Sequence, residues 1–148
     1  MALTDESILF AVRNIARHGD TDVFPFPLEN HWFHDDEAEV VKLLRGIDDD
    51  FDLQLRSHPI HFVKSLSSVG YNGFRAATQI DPLWNAYLLA LVIEIGPDIE
   101  AKRLRVEQNS VFSYRFHPST ERYTPYPSNR PWVRAIQGSR SSKEAQGT

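Results

Sequence analysis

The chain has 148 residues, about one domain's length, with 41% hydrophobic residues and a formal net charge of −4. Cysteine is absent, which excludes disulfides and thiolate metal sites. No apolar run free of charge reaches the roughly 18 residues of a membrane span, and the opening MALTDESILF carries acids instead of a basic leader. The composition therefore leads us to expect a cytoplasmic protein with no signal peptide and no membrane partner.

Thr4 to His18 reads as the first helix. Thr4 or Asp5 can accept from the first free N–H groups, and Ile8, Val12 and Ile15 fall at helical spacing. Gly19 is its stop. The next stretch, DTDVFPFPLENHWFH over residues 20–34, contains Pro25 and Pro27, so no helix runs through it. Its Phe24, Phe26, Trp32 and Phe33 either pack onto the core or form an exposed partner-binding strip. Asp35 to Leu55 is expected to be a second helix, capped by Asp35 or Asp36, with Val40, Val41, Leu44, Ile47, Phe51 and Leu55 inward. Ser57 to Val69 reads as a connector.

The stretch from Gly70 to Phe116 holds the longest apolar run. Gly70 and Gly73 mark a turn and Phe74 to Ile80 a short strand. Asp81 as cap and Pro82 at the first helical position open a third helix that runs to about Leu104. Trp84, Tyr87, Leu88, Leu91, Ile95 and Ile99 share one side of it, and its near-uniform apolarity points to a central buried helix. Pro97 would kink or break it. Ser110 to Phe116, SVFSYRF, alternates and reads as a strand. Beyond His117, four prolines interrupt regular structure, and the polar end QGSRSSKEAQGT has the composition of a disordered tail.

Charge is unevenly spread. Residues 1–100 carry 7 Lys/Arg and 17 Asp/Glu, a net of −10; residues 101–148 carry 9 and 3, a net of +6. A basic end beside an acidic body fits contact with a polyanion, and it equally fits a solvated tail.

Four residue sets have the outline of a site. Phe33-His34-Asp35-Asp36 has the form of a polymerase aromatic-x-Asp-Asp box, but the helical pattern EAEVVKLL follows at once, so we read it as a helix cap. Asp48, Asp50 and Asp52 have calcium-loop spacing, yet Leu53 and Pro59 stand where such a loop needs Gly and Glu; a solvated acidic helix face accounts for them. His31 with His34 and His58 with His61 are i, i+3 pairs without a third metal ligand at convincing spacing. The arginines Arg75, Arg115, Arg122, Arg130 and Arg134 are the last set. With Tyr114 and Phe112 nearby they could hold phosphates and stack bases, and Arg75 or Arg115 could instead be paired with Asp81 or Glu107.

ENHWFHDD with its lead-in NIARHGDTDVFPFP, VGYNGFRAATQIDPLWNAYLLALVI and NSVFSYRF together resemble the N-terminal part of bacterial reverse transcriptase-like proteins, the retron- or defence-associated RNA-directed DNA polymerases. The resemblance covers about residues 8–140. In such proteins these blocks precede the palm, whose paired aspartates hold the two Mg²⁺ ions of nucleotidyl transfer. Here PWVRAIQGSR leads to SSKEAQGT and no such aspartates follow.

The sequence thus implies an α+β, mostly α fold with three main helices and short strands near 74–80 and 110–116 that pair or lie on the third helix. Residues 1–116 would be an N-terminal extension and partial fingers, and 117–148 a Pro-rich basic connector and tail. The resemblance implies a fragment of a nucleotidyltransferase tied to antiviral defence, inactive alone and holding no cofactor, since Mg²⁺ belongs to a full-length relative. Its expected partners are RNA or DNA, met by Arg75, Arg115, Tyr114, Arg122, Arg130 and Arg134, and a palm-containing polypeptide. The alternative is a protein-binding module that docks on a separate polymerase or defence protein, for which the aromatic loop 24–33 would be the contact.

Overall fold

A computed structural model describes residues 2–19, 28–69, 71–103, 116–121 and 123–125. Among them the order of elements is α1 (Asp5–His18), α2 (Glu29–Asp35), α3 (Glu37–Asp49), α4 (Phe51–Ser57), β1 (Phe62–Val69), β2 (Gly73–Ile80) and α5 (Pro82–Lys102). The class is α+β and mostly helical. The chain divides into two compact units, Met1–Glu94 and Ile95–Thr148.

In the first unit, α1 begins where Thr4 Oγ1 accepts the Ser7 N–H at 3.3 Å. It ends at Gly19, whose positive φ of 77° returns its N–H to the Ile15 carbonyl. Asp5 and Glu6 in the first turn and Arg17 and His18 in the last both complement the helix dipole. Ile8, Val12 and Ile15 are fully buried, as the spacing requires, together with Phe33, Val40 and Leu44 from α2 and α3. A bidentate pair ties α1 to α3: Arg13 Nε and Nη2 donate to Glu37 at 2.8 and 2.9 Å.

The aromatic stretch is not a loop throughout. α2 starts two residues past Pro27, because proline bars a helix from running through it and from the residue before it, but not from starting soon after. Phe33 is 1% exposed, a core residue, with Trp32 edge-on at 6.4 Å. Phe24 and Phe26 lie outside the described residues. Asp36 occupies the N-cap position of α3, yet its side chain makes no capping hydrogen bond.

The expected single helix over residues 35–55 is two helices. Asp50 leaves helical geometry at φ −143° and ψ 71° and serves both: its N–H reaches back to the Gly46 carbonyl, and its Oδ1 accepts the Leu53 N–H at 3.1 Å. A short acidic side chain competes with the helix for backbone donors, so the Asp48–Asp52 run is a natural place for the break.

The connector expected over 57–69 is also a correction. Its second half is β1, which pairs antiparallel with β2 from Phe62↔Ile80 to Val69↔Gly73. The turn is at Tyr71 and Asn72. β2 therefore takes its partner from the preceding segment; of the expected strand 110–116, residues 110–115 lie outside the described residues and Phe116 is in no strand. The Asp81 N–H donates to the His61 carbonyl at 3.2 Å and closes the hairpin at its root.

α5 opens as its sequence requires. Asp81 Oδ1 accepts the Leu83 N–H at 3.0 Å, and Pro82 is its first residue. Trp84 and Tyr87 are buried as expected, but Leu88, Ile95 and Ile99 are exposed, and Ala86, Ala90 and Ile93 face inward in their place. A helix apolar on all sides carries no periodic signal to say which side packs. Tyr87 stacks on Phe51 at 5.9 Å, and Trp84 meets the same ring edge-on at 5.8 Å. α5 continues through Pro97.

In the second unit, the end of α5 holds a close contact. A Cβ on Gly96 would lie 2.6 Å from the Phe116 ring, so only glycine permits the approach. Glu100 Oε2 accepts from the Phe116 N–H at 3.0 Å and from Arg103 Nη1 at 3.2 Å. Ser119 and Thr124 form an isolated antiparallel bridge around a turn in which Tyr123 has φ 50°.

Candidate functional site

The hairpin and the cleft at its root are the features of the first unit that its own packing does not consume. Register fixes what each face carries. Residues directly opposite one another point the same way, and successive residues alternate. One face holds Phe62, Lys64 and Leu66 from β1 with Phe74, Ala76 and Thr78 from β2; the other holds Val63, Ser67, Arg75 and Gln79. On the first face Phe62 is 59%, Leu66 70% and Phe74 73% exposed. Lys64 Nζ lies over the Phe62 ring, 5.6 Å from its centroid. Tyr71 at the tip is fully exposed.

Charge is distributed to match. Residues 53–80 contain no Asp or Glu, while Arg56, Lys64 and Arg75 give a local net of +3 in a body whose first 100 residues sum to −10. All three cations are exposed. Phe62 and Phe74 sit six pairing positions apart along the ladder, about 20 Å at about 3.3 Å per residue.

At the root, a cleft of about 330 Å³ opens between α3, α4, α5 and the ends of the hairpin. Leu43, Ile47, Leu83 and Trp84 supply its apolar lining. Gln54, His58, His61 and Asp81 supply most of the polar lining. The Trp84 indole N–H is already committed to the His58 carbonyl at 3.1 Å. Asp81 uses one carboxylate oxygen for the α5 cap; the other takes no hydrogen bond from a described residue.

Of the sequence-predicted residues, Arg75 is exposed on β2, on the face opposite Phe62 and Phe74, and among the described residues no carboxylate pairs with it. The pairing of Arg75 with Asp81 is therefore absent. Arg115, Tyr114, Arg122, Arg130 and Arg134 lie outside the described residues, as do Phe112 and Glu107. Lys64 was missed because the segment holding it, FVKSLSSV, does not alternate apolar with polar residues and so read as a connector.

The acidic run is not a solvated face throughout. The Asp48 side chain is 5% exposed and accepts from the Leu3 N–H at 2.8 Å and from the Tyr87 hydroxyl at 3.2 Å. Arg45 Nη1 stands 3.7 Å from it, while its guanidinium also holds Asp5 and the Leu3 carbonyl. Burial, and then the Asp48 bond, push the Tyr87 hydroxyl above its ordinary pKa of 10.0. Among the described residues no group of three or more His, Asp or Glu side chains is placed to hold a metal ion. None of their helices is long and apolar enough to cross a membrane.

Compared with protein-family models, curated proteins and solved structures, the chain matches none.

Proposed function

We propose that this chain is a nucleic-acid-contacting, non-catalytic part of a reverse transcriptase-like RNA-directed DNA polymerase, working in the cytoplasm beside a palm-containing polypeptide. The blocks quoted above support the polymerase lineage by resemblance. The observation that carries the nucleic-acid reading is the acid-free hairpin, with Phe62, Phe74 and Lys64 on one exposed face. Single-stranded nucleic acid is held by a cationic track with aromatic rings on which bases stack. The spacing of the two rings would let one strand engage both. Lys64 neutralises a phosphate between them, and Arg75 and Arg56 add to the field. Arg115, Tyr114, Arg122, Arg130 and Arg134 extend the basic track in this reading. Mg²⁺ and nucleotidyl transfer belong to the palm, and the link to antiviral defence comes with the lineage.

Anisotropy of a labelled single-stranded RNA across a salt series tests this. Wild-type binding should weaken steeply with salt, and Lys64→Ala should reduce the slope by about 0.7, the value of one phosphate contact on a single strand. Phe62→Ala and Phe74→Ala should each weaken binding by about 1–3 kcal/mol. Binding that ignores salt, or that survives both ring removals, rules the reading out.

A second reading has its own observation. Leu66 and Val63 are exposed aliphatic residues, unsuited to stacking, on a sheet that has two strands among the described residues. A polypeptide adding a strand to either edge would cover them. Capture of the palm-containing partner that needs Leu66 but tolerates Lys64→Ala would favour it. The aromatic loop 24–33 serves this role less well, because Phe33 is committed to the core.

A further inference from the structure

The cleft at the hairpin root has no part in the stacking surface, yet His61 and Asp81, the neighbours of the paired residues Phe62 and Ile80, line it. Its volume, about 330 Å³, is at the small end of the roughly 300–1,000 Å³ range of small-molecule sites. The apolar side chains Leu43, Ile47, Leu83 and Trp84 offer walls for a flat apolar ring. What stands at the polar side decides which ring. Asp81 presents a carboxylate oxygen that no described residue engages. A carboxylate in the cleft repels phosphate and accepts N–H donors, so the base would face inward and the phosphate outward. Guanine is the base whose Watson–Crick edge carries a ring N–H and an amino group side by side. His58, His61 and Gln54 can donate to the carbonyl and ring nitrogen that remain.

We infer that this cleft is a binding site for a guanine base, read by Asp81. Its place as a subsite on a bound strand rests on the nucleic-acid reading of the hairpin; its preference for guanine does not. The cap on α5 allows a clean test. Asn caps a helix as well as Asp does, so Asp81→Asn keeps the Leu83 bond while replacing an acceptor with a donor.

The test is a titration of the full chain with GMP, IMP and AMP, followed by NMR of the Trp84 indole N–H and the His58 and His61 rings. GMP should shift these signals at the lowest concentration. IMP, which lacks the amino group, should need about tenfold more, within the range a two-bond base contact provides. Asp81→Asn should erase the difference. Equal responses to the three nucleotides, no response to GMP, or an equal response to arginine amide overturns the assignment. Single-stranded RNA with and without one guanine separates this from the hairpin reading. Salt-dependent binding with no guanine preference removes the subsite and leaves the hairpin. An Asp81-dependent GMP response without RNA binding keeps the guanine site and removes the hairpin reading. Binding of neither removes both.

Discussion

The Tyr87 hydroxyl of α5 donates to Asp48 at the end of α3, 3.2 Å away, and the other carboxylate oxygen of Asp48 takes the Leu3 N–H. One nearly buried acid thereby joins the chain's start, its third helix and its fifth. Asp48→Ala leaves two donors without an acceptor and should cost roughly 3 kcal/mol, against about 1 for Tyr87→Phe. Urea unfolding of both and of the double variant checks this. The double should lose less than the sum, because the two substitutions remove one shared bond.

Stability should fall on acidification through two identified carboxylates. The hydrogen bond from Arg13 holds Glu37 below its ordinary 4.5, and bonds from Ser7 and Thr4 do the same for Glu94. A lowered native pKa means that the unfolded chain takes up protons first. The stabilisation is complete above the ordinary value of 4.5 and is lost as pH drops through the lowered native values. Thermal melts of the wild type and of Glu37→Gln with Glu94→Gln should differ above pH 5 and converge in acid. Curves that stay parallel throughout would contradict the assignment.

Two glycines in helices should respond in opposite senses to alanine. Nothing lies within 4 Å of a Cβ built on Gly46 in α3, so Gly46→Ala should stabilise by about 0.5–1 kcal/mol through helix propensity. At Gly96 the same Cβ lies 2.6–2.8 Å from three atoms of the Phe116 ring, which must move. Gly96→Ala should therefore be destabilising, and Gly96→Ala with Phe116→Ala should recover part of the loss. Denaturant midpoints decide it.

The exposed hairpin face should be separable from folding. Phe62→Ser, Leu66→Ser or Phe74→Ser removes side chains that are more than half exposed, so each should shift stability by less than about 1 kcal/mol. The same variants should raise solubility, since an exposed apolar patch invites association. A large loss of stability in any of them would mean that the face is covered within the folded chain.

Much of the helical body was legible. Thr4, Gly19 and the Ile8–Val12–Ile15 spacing placed α1, and Asp81-Pro82 placed the start of α5. The failures have physical causes. A Ser-rich strand with one Lys, FVKSLSSV, carries little hydrophobic signal, so β1 passed for a connector, and with it went the partner of β2 and the basic face. On α5, an all-round apolar run could not say that small Ala86 and Ala90 would face the core while Leu88 and Ile99 faced out. The cleft was beyond reach for another reason. Its lining comes from α3, α4, α5 and both ends of the hairpin, and no local pattern records such a meeting.

Asp50 ends α3 and begins α4 with a single residue. α4 carries Gln54 to the cleft, and its Phe51 ring anchors it against Trp84 and Tyr87 of α5. Each residue added or removed between Phe51 and Gln54 turns Gln54 by about 100° relative to that anchor, since a helix has about 3.6 residues per turn. A one-residue insertion between Phe51 and Gln54 would swing Gln54 away from the cleft while leaving every lining residue in the sequence. The length of the chain at this point is thus as much a determinant of the cleft as the identity of any side chain in it.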